Sequence, residues 1–310
     1  MKPSKLTSEE KLAAAKKLRA SNFIDPTFEA EHLAWQELVE IEDTSIRTVE
    51  GDTHVFIHRA KDHLEDAPLF INIHGGGFVR PHMPCNRYFS AKVAAQIRGT
   101  VIDIDYKLAP EYPYPTQMNE CYDVALWAKR NASALKCSAD RIAIGGHSAG
   151  ASLALAVSMK GKFLETFKPC LLVLDFGAFD LTEDPADKTN AAENVISVER
   201  MRMFTTLYTD DDPHVIWSPY VSPAAAPEEL FHGLPETLVL TAGKDSLHEE
   251  AEKLGWSIAR QGTLVTIRRF KESVHGFTVQ CTGEWREAQQ MIIMAINRAS
   301  GVVEKRRTAV

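Results

Sequence analysis

The chain has 310 residues, of which 45% are hydrophobic and 25% charged, as in ordinary folded proteins, and this length suits one α/β unit. Its net charge of −7 argues against a nucleic-acid partner, because a surface that binds phosphates is usually basic. The N-terminus is polar and no run approaches the ~20 apolar residues of a membrane span, so we expect a cytoplasmic protein with no membrane span.

The N-terminal region carries two segments with amphipathic helical spacing, at residues 7–20 and 26–40. Asp25 before Pro26 is typical of a helix start, since aspartate caps the first turn and proline is tolerated there. The bulky apolar residues of the second segment suit either a packed helix pair or part of a cap over a pocket. Both interpretations place helices ahead of the first strand.

Eight short apolar or β-branched runs follow, and helical patterns lie between most of them. The runs cover residues 44–50, 53–59, 69–73, 101–105, 141–144, 171–174, 238–241 and 265–270. The helical patterns cover residues 86–97, 117–129, 148–159 and 247–260. This alternation predicts an α/β fold with a mostly parallel eight-stranded sheet that helices cover on both faces. Gly51-Asp52, between the first two runs, predicts an antiparallel hairpin at the start of the sheet.

One long insertion interrupts the alternation. Residues 181–218 contain no strand-like run, but residues 198–208 have helical spacing within a polar surround. Long insertions in α/β folds lie at the carboxyl ends of strands, where ligands also bind. We therefore expect residues 181–218 to form a second part of a cap.

The five cysteines argue against a disulfide framework and against a metal cluster. They are odd in number, scattered along the chain and without a C-x-x-C pair. We expect reduced, buried thiols and no metal ligation.

A candidate nucleophile lies in the stretch Gly146–Gly150, which reads G-x-S-x-G with Ser148 at its centre. An apolar run precedes it and an alanine-rich helical pattern follows it. A serine on such a strand-to-helix turn sits on a strained backbone that exposes its hydroxyl. Because a serine hydroxyl is a weak nucleophile, the chain must also supply a base, an acid that orients the base, and donors for an oxyanion.

The glycine run after His74 predicts the oxyanion donors. Consecutive glycines let backbone N–H groups face a cavity without side chains in the way, which suits Gly75 and Gly76. A further donor is the N–H of Ala149, the residue after the candidate nucleophile, at the positive end of the following helix.

The base is predicted to be a histidine beyond Ser148, in a loop at the carboxyl edge of the sheet. The candidates are His214, His232, His248 and His275. We choose His275, because it follows the last strand-like run and precedes the C-terminal helix.

The acid should follow a strand between the serine and the histidine. Asp245 comes after a strand that ends in a glycine turn, which leaves room for one helix and one strand before His275. Asp180, which follows the preceding strand, is the competing candidate. The order Ser148, Asp245, His275 is the one expected for this kind of sheet.

Five motifs in this order make the chain similar to the hormone-sensitive-lipase-like (family IV) α/β-hydrolase carboxylesterases. They are His74–Phe78, Asp105–Glu111, Gly146–Gly150, Asp245–Leu247 and His275–Phe277. The resemblance, which covers roughly residues 68–280, implies an α/β-hydrolase fold. It would give a catalytic domain at residues 44–310, a helical cap segment at 1–43 and a cap insertion at 181–218.

The same resemblance implies an activity. It points to hydrolysis of short-chain acyl esters through an acyl-enzyme intermediate, with no metal and no organic cofactor. It also implies that a homodimer is frequent, and that the segment Asp105–Glu111 supports the glycine loop rather than taking part in catalysis.

The chain departs from the family at two places that leave the substrate open. His147 stands where the family usually has Asp or Thr, and Ala151 where a further glycine is common. The same G-H-S-A-G-A order occurs in formamidase-like relatives, so amide or formamide cleavage is an alternative to ester hydrolysis. A non-catalytic ligand-binding relative is a third alternative. His147 could act as a second base, but its place on a sharp turn favours a structural or pocket-edge role.

Overall fold

The computed structural model describes residues 6–20, 30–191 and 195–302. The predicted helix start at Asp25-Pro26 lies outside these ranges. Within them, no helix combines the length and the apolar character needed to cross a membrane.

One eight-stranded sheet forms the centre of the described structure. Its strands are β1 (Val39–Thr48), β2 (Gly51–Ala60), β3 (Ala67–Ile73), β4 (Thr100–Asp105), β5 (Cys137–His147), β6 (Leu171–Asp175), β7 (Glu236–Ala242) and β8 (Val265–Phe270). They lie in the order β1-β2-β4-β3-β5-β6-β7-β8. Strand β2 pairs antiparallel with β1 and β4, and every other pairing is parallel. The predicted α/β fold, with its N-terminal hairpin and mostly parallel sheet, is confirmed. The hairpin turns at Val49 and Glu50, however, and Gly51-Asp52, the predicted turn, already pairs with β1 as the start of β2.

Helices cover both faces of this sheet. Within the described ranges they are α1 (Ser8–Ala20), α2 (Ala30–Gln36), α3 (Pro84–Ile97), α4 (Thr116–Asn131), α5 (Ala149–Phe163), α6 (Val198–Thr209), α7 (Pro213–Ile216), α8 (His248–Arg260), α9 (Phe277–Gln280) and α10 (Trp285–Ala299). The two-residue period of the strands explains the layers. Phe70 of β3 joins the core under α3 and α10, whereas its neighbour Ile71 joins the core under α4, α5 and α8.

The start of the sheet differs from the prediction. A helix was expected to continue to residue 40, but α2 ends at Gln36 and β1 begins at Val39. Val39 pairs with Ala60, so its backbone is hydrogen-bonded to β2 rather than within a helix. Local apolar spacing suited a helix, but pairing with a distant strand decided the conformation. The expected domain boundary between residues 43 and 44 consequently falls inside β1.

A buried aspartate near the start of the sheet lies beside two histidines. Asp103 of β4 is fully buried and hydrogen-bonds Nε2 of His82 at 2.8 Å. His58 of β2 is also fully buried, with its Nε2 4.0 Å from an Asp103 carboxylate oxygen. Neither ring nitrogen of His58 has a hydrogen-bond partner among the described residues. Burial lowers the pKa of His58 from 6.5 to about 4.

His58 should therefore make the fold acid-sensitive. Between pH 6.5 and 4 the unfolded chain binds a proton at this imidazole that the folded chain does not, so stability falls as pH falls through that window. The shift corresponds to about 3 kcal/mol in the free energy of unfolding. We expect His58→Leu to lose less stability than the wild type between pH 7.5 and 4.5, measured by urea unfolding.

The exposed His232 offers the control for this experiment. His232→Gln should follow the wild-type pH dependence, because this side chain lies in solvent in the folded chain as it does in the unfolded one. Parallel curves for His58→Leu and the wild type would show that His58 does not set the acid sensitivity.

Candidate active site

Ser148 occupies the sharp turn between β5, which ends at His147, and α5, which begins at Ala149. Its φ of 54° and ψ of −121° lie outside the usual regions for a residue with a side chain. The flanking glycines are required by close approach: a Cβ on Gly150 would lie 2.0 Å from the carbonyl oxygen of Ile73. A Cβ on Gly146 would lie 2.4 Å from the Gly150 backbone. The local sequence therefore permits a turn that few other sequences could form.

The structure brings Ser148, His275 and Asp245 together at the carboxyl edge of the sheet. Nε2 of His275 lies 2.9 Å from Oγ of Ser148. Nδ1 of the same ring lies 2.7 Å from Oδ2 of Asp245, whose other oxygen accepts the Leu247 N–H at 3.2 Å. All three side chains are buried, so these hydrogen bonds are shielded from water. The three residues follow β5, β7 and β8, which are parallel and so end at the same edge.

The competing candidates make other contacts. Oδ1 of Asp180 accepts hydrogen bonds from the backbone N–H groups of Thr182 and Glu183, so it closes its own turn. Nδ1 of His248 hydrogen-bonds the backbone carbonyl of Asp245 at 2.6 Å. The two remaining histidines are exposed: His214 lies in α7 and His232 in a loop before β7.

The predicted oxyanion donors surround Ser148. Ala149 is the first residue of α5, so its N–H has no acceptor within the helix. A Cβ on Gly75 would lie 3.1 Å from Cβ of Ser148, which shows how closely the glycine loop passes the serine. Gly76 has a φ of +123°, a conformation that favours glycine, and it lines the same cavity as Gly75 and Ala149.

The segment after β4 supports the glycine loop, residues 75–77, through contacts with His74. The Tyr106 hydroxyl donates to the carbonyl oxygen of His74 at 3.0 Å, and its ring stacks on the His74 imidazole at 4.1 Å between centroids. Nδ1 of His74 donates to the Gly75 carbonyl at 2.6 Å. Burial lowers the pKa of His74 to about 4, which keeps this imidazole neutral. The family resemblance implied that this segment supports the loop, but nothing in the sequence pointed to Tyr106 as the contact.

A largely apolar cavity of about 120 Å³ opens in front of Ser148. Helix α6, from the predicted cap insertion, forms part of its wall through Met201, Phe204 and Thr205. Phe204 packs directly on the glycine loop, since a Cβ on Gly77 would lie 2.4 Å from its ring. Helix α1 packs in turn on α6, where Leu18 and Leu207 belong to one buried cluster.

The most unusual residue of the motif, His147, does not face solvent. Its side chain is buried, and its Nδ1 lies 2.8 Å from Oδ2 of Asp175 at the end of β6. Its ring also packs edge to face with Phe89 of α3, at 4.6 Å between centroids. Nothing in the local sequence pattern marks Asp175 as a partner of His147, so this contact could not be predicted.

Comparison with known proteins agrees with this architecture. A family model described as "alpha/beta hydrolase fold" matches residues 70–279. An arylesterase of Saccharolobus solfataricus is 27% identical over 227 residues, which are 73% of this chain and 72% of that protein. The hormone-sensitive lipase of Bos taurus is 35% identical over 92 residues, which are 30% of this chain and 12% of that protein.

A solved structure extends the similarity over nearly the whole chain. The hyperthermophilic esterase of the archaeon Pyrobaculum calidifontis superimposes with a TM-score of 0.80 at 25% identity, covering 94% of this chain and 98% of that one. The family model covers more than half of the chain, and the resemblance to the hormone-sensitive-lipase-like group is confirmed. The protein therefore belongs to the α/β-hydrolase fold family, within its hormone-sensitive-lipase-like group of carboxylic ester hydrolases.

Proposed function

We propose that the protein is a serine carboxylesterase that hydrolyses short-chain acyl esters through Ser148, His275 and Asp245. The observation that carries the proposal is the continuous hydrogen-bonded path from Oγ of Ser148 through both ring nitrogens of His275 to Asp245. The arylesterase and esterase names of similar proteins support the same reaction class.

The first half of the proposed reaction forms an acyl-enzyme. Oγ of Ser148 attacks the ester carbonyl while Nε2 of His275 accepts its proton. Asp245 holds the proton on Nδ1 and stabilises the imidazolium that forms. The N–H groups of Gly75, Gly76 and Ala149 receive the developing oxyanion, and each donor lowers the barrier by about 3 kcal/mol. His275 then protonates the departing alkoxide oxygen as the C–O bond breaks, which releases the alcohol and leaves the acyl group on Ser148.

The second half repeats these steps with water. His275 removes a proton from a water molecule, the hydroxide attacks the acyl carbon, and the same N–H groups stabilise the second oxyanion. Ser148 leaves with the proton from His275, so the carboxylic acid is released and the enzyme returns to its starting state. Activity should fall on acidification, because a protonated imidazole is not a base.

The size of the cavity favours a small substrate. Its volume of about 120 Å³ is well below the ~300 Å³ at which pockets for drug-sized ligands begin. We propose that α1 and the described residues between 181 and 218 form the cap, since α6 carries cavity-lining side chains and α1 packs on α6. The cytoplasmic location and the homodimer stay predictions.

A chain-length series tests the proposal. With p-nitrophenyl esters from acetate to decanoate, kcat/KM should be highest between acetate and butyrate and should fall toward decanoate, because the cavity has little room for a long acyl chain. An optimum at decanoate would contradict the short-chain specificity but not the esterase activity. The absence of turnover on every ester would contradict the activity itself.

Cleavage of amides by the same residues is the alternative reaction. A p-nitroanilide with the acyl group of the best ester gives the direct comparison. We expect kcat/KM to be higher for the ester. A higher value for the anilide would identify an amidase.

A further inference from the structure

Asp175 connects the turn that carries Ser148 with the segment that carries His275. It is fully buried at the end of β6, directly beside His147 in the sheet register. Its backbone carbonyl accepts the Ser148 N–H at 2.9 Å, and its Oδ2 accepts from Nδ1 of His147 at 2.8 Å. Its Oδ1 accepts from the hydroxyl of Thr278 at 3.2 Å. One residue therefore contacts both segments that carry the reacting side chains.

The contact between Asp175 and Thr278 lies close in sequence to His275, the proposed base. Thr278 lies in α9, three residues after His275, and its own carbonyl accepts a hydrogen bond from Gln289 of α10 at 2.7 Å. Phe176, next to Asp175, packs edge to face on the His275 ring with centroids 5.0 Å apart. The position of the His275 loop thus depends on contacts with the end of β6 as well as on Asp245.

The contacts of His147 favour a neutral imidazole that donates a hydrogen bond to Asp175. Nε2 of His147 is buried without a partner among the described residues, so a proton there would be an unsatisfied cationic donor. The neutral ring with its proton on Nδ1 avoids that cost and donates to the carboxylate. Burial raises the pKa of Asp175 above its usual value, and the hydrogen bonds from His147 and Thr278 offset part of that rise.

The charge of Asp175 also acts on His275. His147 and His275 are titratable groups that face Asp175 within the described chain, and the positive form of His275 lowers the pKa of Asp175. This interaction is reciprocal, so an ionised Asp175 stabilises the imidazolium that His275 becomes during acyl transfer.

We propose that Asp175 is a positioning residue for the reaction. It holds the Thr278 segment against the Ser148 turn, which keeps Nε2 of His275 within hydrogen-bond distance of Ser148, and its charge adds to that of Asp245 in stabilising the imidazolium. The proposal rests on the esterase activity proposed above and assigns Asp175 a part in it, with His147 as the donor whose hydrogen bond favours the ionised carboxylate.

Asp175→Asn tests the role of the charge, because it preserves the size of the side chain. We expect kcat on p-nitrophenyl butyrate to fall about tenfold while KM changes less than about twofold. The acidic limb of the kcat/KM profile should move to lower pH by about half a unit, since removal of a negative charge makes protonation of His275 less favourable. A structural role alone would leave this limb in place.

Thr278 supplies a matched pair of variants in case the Asn variant folds poorly. Thr278→Val removes the hydroxyl at nearly constant shape and should lower kcat about fivefold, whereas Thr278→Ser keeps the hydroxyl and should recover most of the wild-type kcat. Equal rates for the valine and serine variants would overturn the proposed link. An acidic limb that stays fixed in a folded Asp175→Asn variant would overturn the effect of the charge.

A measurement without substrate separates this proposal from the esterase activity. NMR titration of the His275 ring in the Ser148→Ala background reports protonation directly. The titration midpoint should be lower in Asp175→Asn/Ser148→Ala than in Ser148→Ala alone. Unchanged midpoints would overturn the proposed charge effect whatever the substrate is. A lowered midpoint in a protein that hydrolyses no ester would contradict only the proposed function.

Discussion

Replacing Ser148 by alanine is expected to lower kcat on p-nitrophenyl butyrate by about 10⁵- to 10⁶-fold. Oγ of Ser148 is the proposed nucleophile, and alanine leaves only a methyl group opposite Nε2 of His275. The side chain is small, so the backbone of the turn, which glycines at both flanks permit, should be preserved. Initial rates of the wild type and Ser148→Ala measure the loss of activity, and thermal unfolding of both proteins checks that the fold is retained.

Covalent labelling provides the control for this prediction. A fluorophosphonate should label the wild type and leave Ser148→Ala unlabelled, because labelling requires an activated serine. Equal hydrolysis rates for the two proteins would remove Ser148 from the mechanism. A wild type that is neither labelled nor active would indicate a ligand-binding protein on the same fold.

Replacing Asp245 by asparagine is expected to lower kcat about 10⁴-fold. Asparagine has the same shape, but its amide can donate to Nδ1 of His275 and so favour the tautomer with the proton on Nε2. That tautomer cannot accept the proton of Ser148. The loss should therefore appear in kcat on the same ester, with the fold retained by circular dichroism.

Asp180→Asn is the matched control, since Asp180 was the competing acid. Its carboxylate accepts hydrogen bonds within its own turn, and we expect kcat to stay within about threefold of the wild type. If only the Asp180 change abolished turnover, the acid would be misassigned.

Much of the fold could be predicted because burial follows a simple period. Neighbouring residues such as Phe70 and Ile71 enter opposite cores, and strands of this kind alternate with helices along the chain. The prediction failed where local pattern and distant pairing disagreed. Residues 39 and 40 have helix-compatible spacing, but β2 supplies hydrogen-bond partners for them in a strand. The start of β5 at Cys137 was also missed, because polar residues such as Ser138, Asp140 and Arg141 interrupt its first half.

The sequence by itself determined which residues can carry the chemistry and in what order they occur. Each of these residues stands in a local pattern that the backbone at its position requires. The serine lies between glycines, the aspartate follows a strand, and the histidine follows the last strand. Only the tertiary structure decided which side chains meet. Ser148 and His275 are 127 residues apart, and His147 and Asp175 are 28 apart. Such contacts depend on the order and register of strands in the sheet, which local spacing does not encode.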